Sequence, residues 1–258
     1  MNYRGMYYEV KGEGFPIIFI PGTGSTHKMF APQVNYLSKS FQTITLDLRG
    51  TGQSEPFKCL NPWKYLKLHA KSIVELMDYL HIERAIFVGV SYGGMVAQEM
   101  AKIHETRVEK LVIIDSYARI IPYSFDDIRI GLLGAGFLIS MLVPYKWLLP
   151  IYQYYSKWEL TYEEILRFLK NRKSMILLMQ LIGTIGLNNL DRIKESTIPI
   201  LALAGDESPQ IVRLNKEIAM TAPEGNFIAV ENAFDPSNLC NPQQVNEAIY
   251  SFIEDYKC

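Results

Sequence analysis

One stretch constrains this chain more than any other: Ala85-Ile86-Phe87-Val88-Gly89-Val90-Ser91-Tyr92-Gly93-Gly94. It opens as a continuous apolar run rich in Val, Ile and Phe, the composition of a strand buried on both faces. Gly89-Val90-Ser91-Tyr92-Gly93 then fits G-x-S-x-G, and Val96, Ala97, Met100 and Ala101 follow at helical spacing. The serine is thus predicted at a strand-to-helix turn. Such a turn strains the backbone at the serine, and side chains two residues either side would strike the neighbouring strand and helix, hence the glycines. Ser91 Oγ then lies at a helix N-terminus, beside free backbone N–H groups able to hold an oxyanion.

The surrounding chain repeats this alternation. Apolar runs at Ile17–Ile20, Phe41–Leu46, Leu111–Ile114, Ile200–Ala204 and Phe227–Val230 read as strands, with Met6–Lys11 as an edge strand. Phe30–Ser38, Trp63–Leu80 and Pro242–Tyr256 read as helices, the second with one apolar stripe. The alternation predicts an α/β fold, a mainly parallel sheet with helices on both faces. It stops between about Tyr117 and Leu190, where no strand pattern appears. Gly131–Tyr145 is apolar apart from Ser140, and Met175–Leu187 is apolar apart from Gln180 and Thr184. The first run falls short of the ~20 residues a bilayer span needs, so no stable membrane insertion is expected.

On these residues the chain resembles the α/β hydrolases of the single-domain esterase, lipase and C–C hydrolase group along nearly its whole length. Besides the elbow, Ile17–Pro21 with Gly22-Thr23-Gly24 resembles that family's strand and oxyanion loop. Asp47-Leu48-Arg49-Gly50-Thr51-Gly52-Gln53-Ser54 resembles its D-x-R-G-x-G-x-S segment. The resemblance implies an α/β-hydrolase fold with a core of residues 1–116 and 191–258 and a helical lid at 117–190. It also implies Ser91 as nucleophile, and the backbone N–H groups of Thr23 and Tyr92 as the oxyanion hole.

The chain departs from the pattern at both remaining triad positions. Imidazole suits a serine hydrolase because its pKa lies near neutrality, and an acid orients it. The resemblance puts the acid three residues after Gly205, where Ser208 stands; a shift of one or two residues brings in Asp206 or Glu207. It puts the histidine at Asp235, with the register set by Asn241-Pro242. Asp115, at the end of an earlier strand, is the alternative acid, because some family members carry theirs there. Of the four histidines, His27 follows the oxyanion loop; His69, His81 and His104 are expected at the surface or behind the site. An aspartate at 235 is a weak base unless burial raises its pKa. It also puts negative charge where negative charge must develop.

Three readings follow. The first is an enzyme whose ancestral ester, lactone or thioester hydrolysis is weak or absent. The second is a lyase, isomerase or cyclase in which Asp235 is the base and the oxyanion hole holds an enolate. The third is a ligand-binding protein without turnover. In each the partner is an apolar small molecule. The net charge of −1 points away from nucleic acid. Cys59, Cys240 and Cys258 are far apart and odd in number, neither a disulfide framework nor a metal spacing. No metal, nucleotide or other cofactor is expected. With no basic-then-apolar leader before the first strand, a cytoplasmic setting is expected.

Overall fold

The structure is a computed structural model that describes residues 1–120 and 143–254. Eight strands form one sheet in the order β1-β2-β4-β3-β5-β6-β7-β8. They are β1 (Asn2–Tyr3), β2 (Met6–Lys11), β3 (Pro16–Ile20), β4 (Gln42–Leu46), β5 (Ala85–Val90), β6 (Val108–Ile114), β7 (Ile200–Gly205) and β8 (Gly225–Val230). β2 runs antiparallel to both its neighbours, β1 and β4, and the remaining neighbours pair parallel, so the expected edge strand β2 is flanked by one shorter strand. β5 pairs with β3 through Ile18–Phe87 and Phe19–Val88, and with β6 through Val88–Val112 and Val90–Ile114. All six of its residues are buried, because a central parallel strand is covered on both faces.

The two faces bury separate cores. On one, Ile18, Ile44, Phe87, Leu111 and Ala202 pack under the helices Tyr65–Tyr79 and Tyr92–Ile103, with Ile73, Leu76, Val96 and Met100. On the other, Ile17, Phe19, Ile86, Val112 and Leu201 pack under the helix Pro242–Glu254, with Val245, Ile249 and Phe252. Period-two alternation within each strand makes this division.

Between β6 and β7 the described chain is helical: Tyr145–Tyr152, Glu159–Asn171, Ser174–Ile182 and Leu190–Glu195. The apolar run from Gly131 lies, as far as residue 142, outside the described residues. The inserted helices lie across the loops at the C-terminal edge of the sheet. A side chain on Gly24 would come within 2.4 Å of Leu177 Cδ2 and 2.7 Å of Phe168 Cε2, and one on Gly50 within 2.9 Å of Ile176 Cδ1. Trp158 Nε1 donates to the carbonyl of Asn232 at 2.8 Å, and Tyr154 and Tyr155 pack their rings on Phe234. No helix among the described residues is long and apolar enough to cross a membrane.

Candidate active site

Ser91 stands between the end of β5 and the helix Tyr92–Ile103 with φ +51° and ψ −116°. A left-handed conformation is costly for a non-glycine residue and persists only where the surroundings enforce it. Here the Ser91 N–H donates to Ile114 O at 2.8 Å, and Ser91 O accepts from Gly94 N–H at 2.9 Å and from Ser116 Oγ at 2.7 Å. The flanking glycines are steric necessities. A Cβ on Gly93 would lie 2.0 Å from Ile20 O, and one on Gly89 2.4 Å from Gly93 O.

The loop after β3 sits directly beside the serine. The position a Cβ would take on Gly22 is 3.6 Å from Ser91 Cβ. A turn closed by Ser25 N–H on Gly22 O at 3.1 Å then presents Thr23. Among the described residues the backbone N–H groups of Thr23 and Tyr92 donate no hydrogen bond. Two unpaired donors at a helix N-terminus and a tight turn are what an oxyanion requires.

The loop Asp47–Ser54 closes the site from the other side. Asp47, fully buried, accepts from the backbone N–H groups of His27 and Gln53, each at 2.8 Å, and lies 2.8 Å from His27 Nδ1. Gly52 is required because a Cβ there would lie 2.1 Å from Asp47 Oδ2. His27 is therefore engaged as the partner of Asp47, with Glu9 at 3.4 Å on its other nitrogen.

The acids separate by surroundings. Asp115 is buried at the end of β6 with φ +48°. Its carboxylate accepts from Gly205 N–H at 3.0 Å and from Ser237 N–H at 2.5 Å. It thereby ties β6, β7 and the segment just after Asp235 together. Burial outweighs these hydrogen bonds and raises its pKa to about 6. Asp235, in the loop after β8, is raised well above the usual carboxylate range, first by burial and second by the charge of Asp115. Their charges interact, so each carboxyl resists ionising while the other is charged. The Asp235 charge also reaches Tyr117, whose hydroxyl burial pushes up to about 12, and Tyr155, shifted the same way.

The remaining sequence candidates lie elsewhere. Ser208 caps the helix Pro209–Thr221, buried, with no side-chain capping bond. Asp206 accepts from Ala233 N–H at 3.2 Å. Glu207 pairs with Lys157 of the inserted helices at 2.6 Å. Sequence reasoning placed His69 at the surface or behind the site; it is 1% exposed, packed among Phe57, Tyr65 and the Tyr92 ring. Both its ring nitrogens lack partners among the described residues, and burial, with Arg49 nearby, lowers its pKa to about 3. Sequence reasoning also passed over Gln180, fully buried, whose Oε1 accepts from Gly24 N–H at 3.2 Å. Its signal was present, as a lone amide in an otherwise apolar helix. Among the described residues no cluster of three His, Cys, Asp or Glu side chains is arranged to hold a metal ion.

Comparison with known proteins agrees with this architecture. The family model for the alpha/beta hydrolase fold matches residues 16–134. A protein of Yersinia enterocolitica named as the carbamate hydrolase RutD is 26% identical over 96% of this chain and 92% of its own. The enol-lactonase from Burkholderia xenovorans LB400 superposes with a TM-score of 0.81 at 21% identity, covering 96% of each chain. A thermophilic esterase from Thermogutta terrifontis superposes with a TM-score of 0.80 at 20% identity, covering 97% of this chain and 93% of its own. With the strand order, the elbow and these likenesses together, the chain has the α/β-hydrolase fold.

Proposed function

We propose that the chain is an enzyme acting at Ser91 on an apolar acyl, ester or lactone-type small molecule, with ordinary hydrolysis weak or absent. The observation that carries this is the pair Asp115 and Asp235 beside a complete serine elbow. Ser91 Oγ donates no hydrogen bond to an imidazole among the described residues, and the group at the histidine position is a carboxyl. A carboxylate takes the serine proton poorly, and its charge opposes an adjacent oxyanion. The helices between β6 and β7 act as a lid, closing an apolar cavity over Ser91.

A second reading has its own support. Asp115 and Asp235 both hold their protons more tightly than a free aspartate, the direction that proton transfer to or from carbon needs. The anionic Asp235 would remove a proton next to a carbonyl, while Thr23 and Tyr92 N–H hold the enolate oxygen. This gives a lyase, isomerase or cyclase without an acyl-enzyme.

One pair of measurements separates these readings from simple binding. A fluorophosphonate should label Ser91 slowly and leave Ser91→Ala unlabelled. Aryl ketones incubated in D2O should exchange their α-protons only where Asp235 is intact. Rapid ester turnover unaltered in Asp235→Asn would overturn the proposal. No labelling and no exchange would leave a ligand-binding protein.

A further inference from the structure

Gln180 stands apart from every other buried amide near the site. It lies on the helix Ser174–Ile182, one turn after Leu177, which packs on Gly24. Its side chain is fully buried. The Gly24 N–H can only donate, so the atom it meets at 3.2 Å is the amide oxygen. That assignment leaves Nε2, with two N–H donors, and among the described residues Nε2 has no hydrogen-bond partner. Buried donors are nearly always paired, and an unpaired one at a site marks the place of a missing acceptor.

The location says what the acceptor belongs to. Gly24 follows Thr23 directly, and Gly22 approaches Ser91 Cβ, so one three-residue turn joins the serine to Gln180. Two apolar side chains, Leu177 and Phe168, lie against the turn whose Gly24 N–H Gln180 holds. An acceptor delivered there must therefore arrive on a mostly apolar molecule. Glu164, also buried, engages Ser25 and Thr26 of the same loop and pairs with Arg167, so it is not free to serve as that acceptor.

We infer that Gln180 is a specificity-determining residue: Nε2 donates to a second oxygen, carbonyl or carboxylate, of an apolar acyl compound whose reacting carbonyl faces Thr23 and Tyr92. Oε1, by holding Gly24 N–H, keeps the Thr23 turn in place for the first oxygen. The inference rests on the reading of Ser91, Thr23 and Tyr92 as the site, and it adds to that reading the class of molecule: two acceptors on one apolar body.

Three matched probes test it on the full chain: butyrophenone, methyl 4-oxo-4-phenylbutanoate and 4-oxo-4-phenylbutanoate, with dissociation constants measured by ligand-observed NMR. The first lacks a second acceptor, the second offers a neutral one and the third a carboxylate. The wild type should bind at least one of the latter two about tenfold more tightly than butyrophenone, a usual span for a hydrogen bond to a buried donor. Gln180→Met should erase the preference. Gln180→Glu keeps an acceptor for Gly24 N–H but puts negative charge where the donors were, and should turn the carboxylate probe into the weakest of the three. A preference for the ester alone, or for the carboxylate alone, identifies the acceptor. Binding without preference, or a preference that survives both variants, overturns the inference and leaves the Ser91 reading standing. No binding of any probe, with Ser91 unlabelled by fluorophosphonate, overturns both.

Discussion

At the scale of single residues, the proposed chemistry turns on Asp115 and Asp235. Asp115 already reaches across to Ser237 N–H, two residues past Asp235. It is thus placed to orient an imidazole at 235, whereas Ser208 sits at the head of another helix. Asp235→His is therefore expected to raise aryl-ester turnover, and adding Asp115→Asn to abolish the gain. Loss of the orienting acid costs ~10⁴ in turnover in the serine-protease template. Adding Ser208→Asp to Asp235→His should change the rate less than threefold; a large further gain would move the acid to the later strand. The pKa shifts give two stability predictions of opposite sign. Asp115 and Asp235 are raised above their unfolded values, so their stabilising contribution is complete below about pH 4 and lost as pH rises through the folded values, about 6 for Asp115. Asp235→Asn should melt higher than wild type at pH 7, with the difference vanishing near pH 4. His69 is lowered to about 3, so its contribution is complete above about pH 6.5 and lost as pH falls toward 3. His69→Phe should gain on wild type as the pH drops below 6.5, by up to ~1.4 kcal/mol per pH unit. Calorimetric melting from pH 4 to 8 checks both slopes.

At the scale of elements, backbone contact decides what each turn tolerates. Gly93→Ala would drive a methyl group into Ile20 O at 2.0 Å, and neither β3 nor the elbow helix has room to retreat. We expect a loss of about 3 kcal/mol in urea unfolding. Gly186 also has a positive φ, +80°, but nothing lies within 4 Å of its Cβ position. Gly186→Ala should therefore cost only the conformational term, about 1 kcal/mol. Equal losses at the two positions would mean the elbow relaxes freely. The strands and the long helices were legible in the sequence because burial imposes periods of two and 3.6 on residue type. The partnerships of the loops were not. Nothing in the spacing of Asp47 and His27, or of Gln180 and Gly24, marks them as partners, since each pair meets only after separate elements have packed.

At the scale of the whole molecule, the inserted helices reach both ends of the site, on Gly24 and Gly50 at one end and on Asn232 and Phe234 at the other. The apolar cavity proposed beneath them predicts that polar short-chain acids displace a bound apolar ester poorly. In a fluorescence displacement assay, equal competition by acetate and by a phenyl-substituted acyl compound would contradict it. Ligand binding is also expected to survive dialysis against a chelator unchanged, and restoration by zinc of a lost affinity would contradict that.

The sequence by itself determined the strands and the elbow, and the resemblance to the α/β hydrolases put Asp235 at the expected histidine position. The strands and the elbow follow from local rules: apolar period and the steric demand for glycine. Only the tertiary structure decided how the acids are used. Asp115, Asp206, Glu207 and Asp235 are the same residue chemistry in the sequence, and each could have been the orienting acid. Packing left Glu207 half-buried against Lys157, spent the exposed Asp206 on Ala233 N–H, and set the buried Asp115 and the half-buried Asp235 where their charges interact. A carboxyl's proton affinity depends on its distance from water and from other charges, and those distances exist only once the chain has folded.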